Sequence, residues 1–265
     1  MRQFIAEDDL DSSGCLRVEG KKSHYLTNVL RLQIGDMVDV RLKDSTLVQM
    51  TLSHIDKSHK YVLLQLAASR RVGPLPQKND ANIYLFQFVA KPAKMDLIIR
   101  QAVECGVAAV ILVEGDFCQK GPVEAAKKHG QSDSDRWQKI ITEARQQSGS
   151  PVETKIFPCL PVEKALDLWQ NQFGKNGCGI VLYERTEQTQ PLHKIIWENK
   201  DAKNFALFVG AEGGISPKEI DILCKAGIFP VHFNTNILRC ETAALYGLAA
   251  LQCTQMEQNI WQFKE

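Results

Sequence analysis

The sequence lacks any long hydrophobic run. Its best stretch, Ala81 to Ala90, is broken by Asn82 and Gln87, far short of the roughly 18 apolar residues that a membrane span requires. Charge of one sign is also missing: 32 Lys+Arg stand against 31 Asp+Glu, a formal charge of +1. That balance excludes a blanket basic surface of the kind that drives nonspecific phosphate binding. The eight cysteines include no Cys-x-x-Cys pair and no Cys/His pair at zinc spacing, and the closest pairs, Cys105/Cys118 and Cys240/Cys253, lie 13 apart. Free, reduced thiols acting as small hydrophobes are therefore expected, with no metal site. Near the N-terminus, Glu7, Asp8, Asp9 and Asp11 occupy the place where a signal peptide would need an uncharged apolar core. These absences predict a cytoplasmic protein with no membrane and no metal partner.

What is present is the composition of an ordinary globular chain, 265 residues with 44% apolar and 24% charged, enough for one large domain or two unequal ones. The stretch Arg70 to Asp80, with Gly73, Pro74 and Pro76, separates two periodicities and predicts domains over 1–73 and 74–265. Before it, Met37 to Leu42 and Leu47 to Ile55 alternate apolar and polar residues, and Tyr61 to Ala67 is β-branched and apolar. A small β-barrel with a short helix at Lys22 to Leu32 fits this pattern. After it, apolar strands are expected at Ile83 to Val89, Val107 to Val113, 178–183, 205–209 and 229–233. Helices are expected from Pro92 to Gly106, over Arg136 to Ser148, and from Glu241 to Met256. Buried strands alternating with amphipathic helices predict an α/β domain with a mainly parallel sheet.

Three loops follow predicted strands, where ligands of open α/β sheets bind. The first is Leu182-Tyr183-Glu184-Arg185. The second, Val209-Gly210-Ala211-Glu212-Gly213-Gly214-Ile215, runs into Ser216-Pro217-Lys218-Glu219, whose residue types form an N-cap, a first helical proline and a capping box. Its glycines let backbone approach a ligand closely, but it is neither a P-loop nor a G-x-G-x-x-G turn. The third is Phe233-Asn234-Thr235-Asn236-Ile237-Leu238-Arg239-Cys240-Glu241-Thr242, which sets a cation beside apolar residues as a flat aromatic ligand would require.

Taken together, these loops resemble the RsmE family of SPOUT-class methyltransferases, which modify the 3-nitrogen of a uridine in 16S ribosomal RNA of the small subunit. The resemblance is carried by Val209 to Ser216 and Ile237 to Ala243, in this order. It extends to Arg2-Gln3-Phe4, to His24 through Leu32 with Gly35-Asp36, to Ala102 through Val107, and to Arg136-Trp137 with Glu143 through Gly149. It implies a PUA-like β-barrel, a trefoil-knotted α/β domain, S-adenosyl-L-methionine as cofactor, and a homodimer. The residues it assigns to the cofactor are Leu182, Tyr183, Glu184, Val209, Gly210, Ala211, Glu212, Gly213, Gly214, Ile215, Phe233, Asn234, Asn236, Ile237, Leu238, Arg239 and Thr242. The chain departs from the family pattern at Gln101, Ser150, Ala211, Asn236 and Cys240, and at Asn234, where a glycine is replaced by the residue that next most readily takes positive φ.

Methylation of a protonated imide nitrogen requires loss of its proton or stabilisation of the resulting anion. Arg239 is expected to stabilise that charge, while Glu212 accepts a proton or orients its loop, the second role being favoured. Residues 1–73 carry eleven Lys/Arg against nine Asp/Glu, and Arg2, Arg17, His24, Arg31, Arg70 and Arg71 are the expected RNA contacts. Two other readings stand beside this one: a SPOUT enzyme acting on another RNA or on ribose oxygen, and a non-catalytic RNA-binding or ribosome-assembly protein with a degenerate pocket.

Overall fold

The computed structural model describes residues 3–56, 58, 60–67, 81–128, 136–185 and 189–258. It divides into two compact units, one of Met1–Gln77 with Arg145–Pro151 and one of Lys78–Ala144 with Val152–Glu265.

The first unit contains β1 (Gln3–Ile5), β2 (Cys15–Glu19), α1 (Gly20–His24), β3 (Met37–Arg41), β4 (Leu47–Asp56) and β5 (Tyr61–Leu66). The alternation read from the sequence places Leu16, Val18, Val38, Val40, Val48, Met50, Leu52, Val62 and Leu64 on one buried face, with Phe4 and Leu26 packed into it. The hydrogen-bonded order is β1-β3-β4-β5-β2, antiparallel except for the β1/β3 pair. Among the described residues no pairing joins β1 to β2, so the expected barrel is a five-stranded sheet folded over one core. The expected helix over Lys22–Leu32 starts earlier and ends sooner: α1 passes into a single π turn over Tyr25–Val29. Arg31 then takes φ 57°, a left-handed conformation that a continuing helix cannot contain.

The segment Arg145–Pro151 groups with this unit, although sequence reading assigns it to the following domain. The reason is a buried arginine. Arg41, 1% exposed, donates to Gln3 Oε1 (2.8 Å), Ser45 O (2.7 Å) and Gly149 O (3.1 Å). Gln3 Nε2 in turn donates to Arg145 O at 2.9 Å. Burial, together with the charge of Arg145, pulls the Arg41 pKa below its ordinary value. A buried cation is tolerated only with its donors satisfied, and the carbonyl at 149 provides one of the acceptors.

The second unit runs β6 (Asn82–Phe88), α2 (Pro92–Glu104), β7 (Ala109–Glu114), α3 (Lys120–Lys128), α4 (Arg136–Ser148, its last turn from Arg145 grouping with the first unit), β8 (Lys155–Pro161), α5 (Val162–Leu168), β9 (Gly177–Leu182), α6 (Leu192–Glu198), β10 (Asn204–Val209), α7 (Pro217–Lys225), β11 (Ile228–Val231) and α8 (Cys240–Gln258). Its six described strands are all parallel in the order β11-β9-β10-β6-β7-β8. Residues of α2, α3, α4, α6 and α8 pack on one face and those of α5 and α7 on the other. Both faces of the sheet are therefore covered, which explains why β7 and β10 read as unbroken apolar runs. The α2 stripe Met95, Ile98, Ile99, Ala102 and Val103 is buried. Among the described residues, no helix is long and apolar enough to cross a membrane.

Candidate functional site

Parallel pairing puts the carboxyl ends of β11, β9 and β10 side by side at one sheet edge. The three loops singled out above leave from that edge. Between them lies a cavity of about 400 Å³. Leu182, Tyr183 and Glu184 line it from β9. Val209 to Ile215 line it from the glycine-rich loop, and Phe233, Asn236, Ile237, Leu238 and Arg239 from the loop after β11. Two residues expected there, Asn234 and Thr242, are exposed and do not line it. Asn234 also lacks the positive φ that its replacement of glycine suggested.

Local chemistry shapes the glycine loop. Ser216 Oγ accepts from the Glu219 amide while Glu219 Oε2 accepts from the Ser216 amide, a complete capping box that starts α7 immediately after the loop. The buried Glu219 carboxylate also accepts from the Asp116 amide at 2.8 Å. Gly214 N donates to Ala211 O at 3.0 Å, which closes the turn. A Cβ on Gly210 would meet the Gly214 carbonyl carbon at 2.9 Å, so only glycine fits where the loop folds on itself. Beneath the loop, Gln87 Nε2 donates to Gly210 O (3.1 Å) and Val209 O (3.3 Å).

Thr235, Cys240 and Ala243, within the stretches that sequence reading named, also line the cavity; three lining residues outside those stretches were missed, Lys94, Val231 and His232. Of these, Lys94 brings a charge. From the first turn of α2, its ammonium lies 3.1 Å from Glu241 and 3.6 Å from Glu212. Lys91 N donates to the same Glu212 carboxylate at 3.2 Å. Burial opposes the Lys94 charge, but the hydrogen bond to Glu241 and the charges of Glu241 and Glu212 outweigh it and hold the pKa above the ordinary lysine value. Burial likewise opposes the Glu241 charge, yet the amide, thiol and ammonium donors around it keep its pKa below the carboxylate norm. The Cys240 thiol is pushed up to about 11, first by burial and then by its hydrogen bond to Glu241, and so stays protonated at neutral pH.

The Arg239 side chain is exposed at the cavity, and among the described residues no carboxylate lies within 4 Å of it. Among the described residues, the cavity thus combines apolar walls, exposed loop backbone, a carboxylate at Glu184, a tethered carboxylate at Glu212 and a cation, Arg239, with no carboxylate partner. That set suits a flat, partly apolar ligand, with a charge-stabilising group at one side.

The expected RNA contacts belong to the first unit. Arg17 pairs with Glu19 at 2.6 Å and lies 4.0 Å from the Tyr61 ring centroid. His24 and Arg31 are exposed. Arg2, Arg70 and Arg71 lie outside the described residues, as does the predicted boundary at Gly73.

Comparison with known proteins gives two family models: an RNA methyltransferase domain over residues 77–252 and an RNA methyltransferase PUA domain over residues 18–65. Among curated relatives, ribosomal RNA small subunit methyltransferase E 2 of Borreliella burgdorferi is 27% identical over 98% of this chain and its own full length. Ribosomal RNA small subunit methyltransferase E of Synechocystis is 30% identical over 86% of this chain and 69% of its own. Among solved structures, ribosomal RNA small subunit methyltransferase E from Neisseria gonorrhoeae, bound to S-adenosyl methionine, shares the fold. It has a TM-score of 0.75 and 22% identity, covering 96% of this chain and 97% of its own.

Proposed function

This chain belongs to the RNA methyltransferase family, and from that premise we propose that it methylates the 3-nitrogen of a uridine in 16S ribosomal RNA with S-adenosyl-L-methionine as donor. The observation that carries the reading is the cavity of about 400 Å³ at the ends of three parallel strands. Its apolar walls and glycine-rich backbone fit an adenosine with a short amino-acid tail. Leu182, Tyr183, Val209, Ile215, Phe233 and Leu238 supply the walls, Gly210 to Gly214 the backbone groups, and Glu184 a hydrogen-bond acceptor. The donor, when bound there, supplies an electrophilic methyl group on a sulfonium.

The chain's own part is to place the base and to offset charge. The uracil imide proton leaves to water, and negative charge develops on the ring oxygens. Arg239, which pairs with no carboxylate among the described residues, is the group that stabilises it. Glu212 is held by Lys91 and Lys94, so it orients the loop and leaves proton transfer to solvent. The N-terminal unit contributes RNA contacts through Arg17, His24 and Arg31. The same reading includes a trefoil knot in the second unit, action in the cytoplasm on small ribosomal subunits, and a homodimer. Exposed Leu245 and Tyr246 on α8, with Ile237 beside the cavity, support the dimer.

Replacing Arg239 with alanine tests the assignment. Turnover should fall about 100-fold or more, the range for losing one transition-state charge contact, while calorimetric affinity for the donor stays within a few-fold. Near-normal turnover would overturn it.

A further inference from the structure

We infer that Lys94 is a positioning residue for the methyl donor: by tying Glu212 of the glycine-rich loop to Glu241 of α8, it holds two walls of the cavity in one arrangement. The inference rests on the reading that the donor binds in this cavity. Lys94 lies in none of the three loops. It belongs to α2, which follows β6, the strand beside β10 in the sheet.

Its ammonium contacts two carboxylates from separate walls, at 3.1 and 3.6 Å, and lies 3.8 Å from Cys240 Sγ. The three charged side chains are 27%, 26% and 15% exposed, so solvent screens them less than a surface pair. Without the lysine, two like charges face one site and repel, which opens the walls between which the donor lies. The first turn of α2 grips Glu212 twice, once through the Lys91 amide and once through Lys94. Only the second grip reaches α8.

The test uses the full chain and S-adenosylmethionine as probe. Lys94→Met should weaken calorimetric affinity at least tenfold and raise KM for the donor while kcat stays within about threefold. Lys94→Arg, which keeps the charge, should bind within threefold of the unmodified chain. Adding Glu241→Gln to Lys94→Met removes the repulsion and should recover part of the loss. If Lys94→Met does not fold, Glu241→Gln alone reads the same tie from its other end, with at least a threefold loss expected. Lys94→Met binding within threefold of the unmodified chain would overturn the inference, as would equal losses in the Met and Arg variants. Failure of the unmodified chain to bind the donor would instead overturn the functional reading beneath it, so the two failures are distinguishable.

Discussion

Gly210→Ala adds one methyl group at the point where the cavity loop is tightest. The new Cβ would lie 2.9 Å from the Gly214 carbonyl carbon, 3.0 Å from Gly214 Cα and 3.0 Å from Ile215 Cγ1. Carbon atoms settle at about 3.5 to 4.0 Å, and two of these three neighbours are backbone that cannot swing away. The loop must open by about half an ångström, straining the Gly214 N to Ala211 O bond and the Gln87 bond to Gly210 O. Overpacking of this kind costs about 1–3 kcal/mol. For a unit of this size, about 2 kcal/mol lowers the unfolding temperature by about 4–8 °C. The assay is thermal unfolding followed by circular dichroism, paired with donor calorimetry, where affinity should fall at least tenfold. Gly121→Ala in α3 is the control, since nothing lies within 4 Å of its added Cβ. It should leave stability unchanged or raise it by up to about 1 kcal/mol. A Gly210→Ala protein that melts with the unmodified chain and binds the donor equally would refute the reasoning.

Glu219→Ala strips the acceptor from the Asp116 and Ser216 amides and should cost about 3 kcal/mol in urea unfolding; a loss below about 1 kcal/mol would contradict the network's role. Brief alkylation at pH 8 should modify exposed Cys253 first, because Cys159 and Cys178 are buried with thiols pushed up to about 12. Peptide mapping that finds Cys178 labelled before Cys253 would be the contrary result. The Lys94–Glu241 tie gives a pH window. Glu241, depressed below its usual 4.5, stabilises above that value, and its contribution is lost as pH falls through the folded-state pKa. Lys94, raised above 10.5, stabilises below that value, and its contribution is lost as pH rises through its folded-state pKa. Donor affinity should lose no contribution from this pair between those limits, and a step near neutrality that Lys94→Met abolishes would contradict the assignment.

The parts that local chemistry determines were legible. Ser216, Pro217 and Glu219 announce the start of α7 wherever they occur, and the structure contains both bonds of the capping box. The glycine loop was visible because three glycines in five residues have few other uses. Lys94 was not, because a lysine in a first helical turn looks like any solvated charge. Its role exists only because β6 lies beside β10, a strand order that no local window contains. Gln87 registered only as a break in an apolar run, yet it is fully buried and holds the loop's carbonyls. Strand β8 was not among the expected strands; its Pro158 and Pro161 are tolerated because it lies at the sheet edge. The grouping of Arg145–Pro151 with the first unit depends on Arg41, more than a hundred residues away in sequence.

The central claim is methylation of a uridine 3-nitrogen, and primer extension reads it directly because a methyl there blocks Watson–Crick pairing. Small ribosomal subunits from a strain lacking this activity are incubated with the protein and S-adenosylmethionine, and the 16S RNA is then reverse-transcribed. The account predicts one new stop at a uridine, dependent on the donor and abolished by Arg239→Ala. Methyl incorporation without any new stop would contradict it and point to ribose oxygen, and no incorporation at all would contradict the enzyme reading itself.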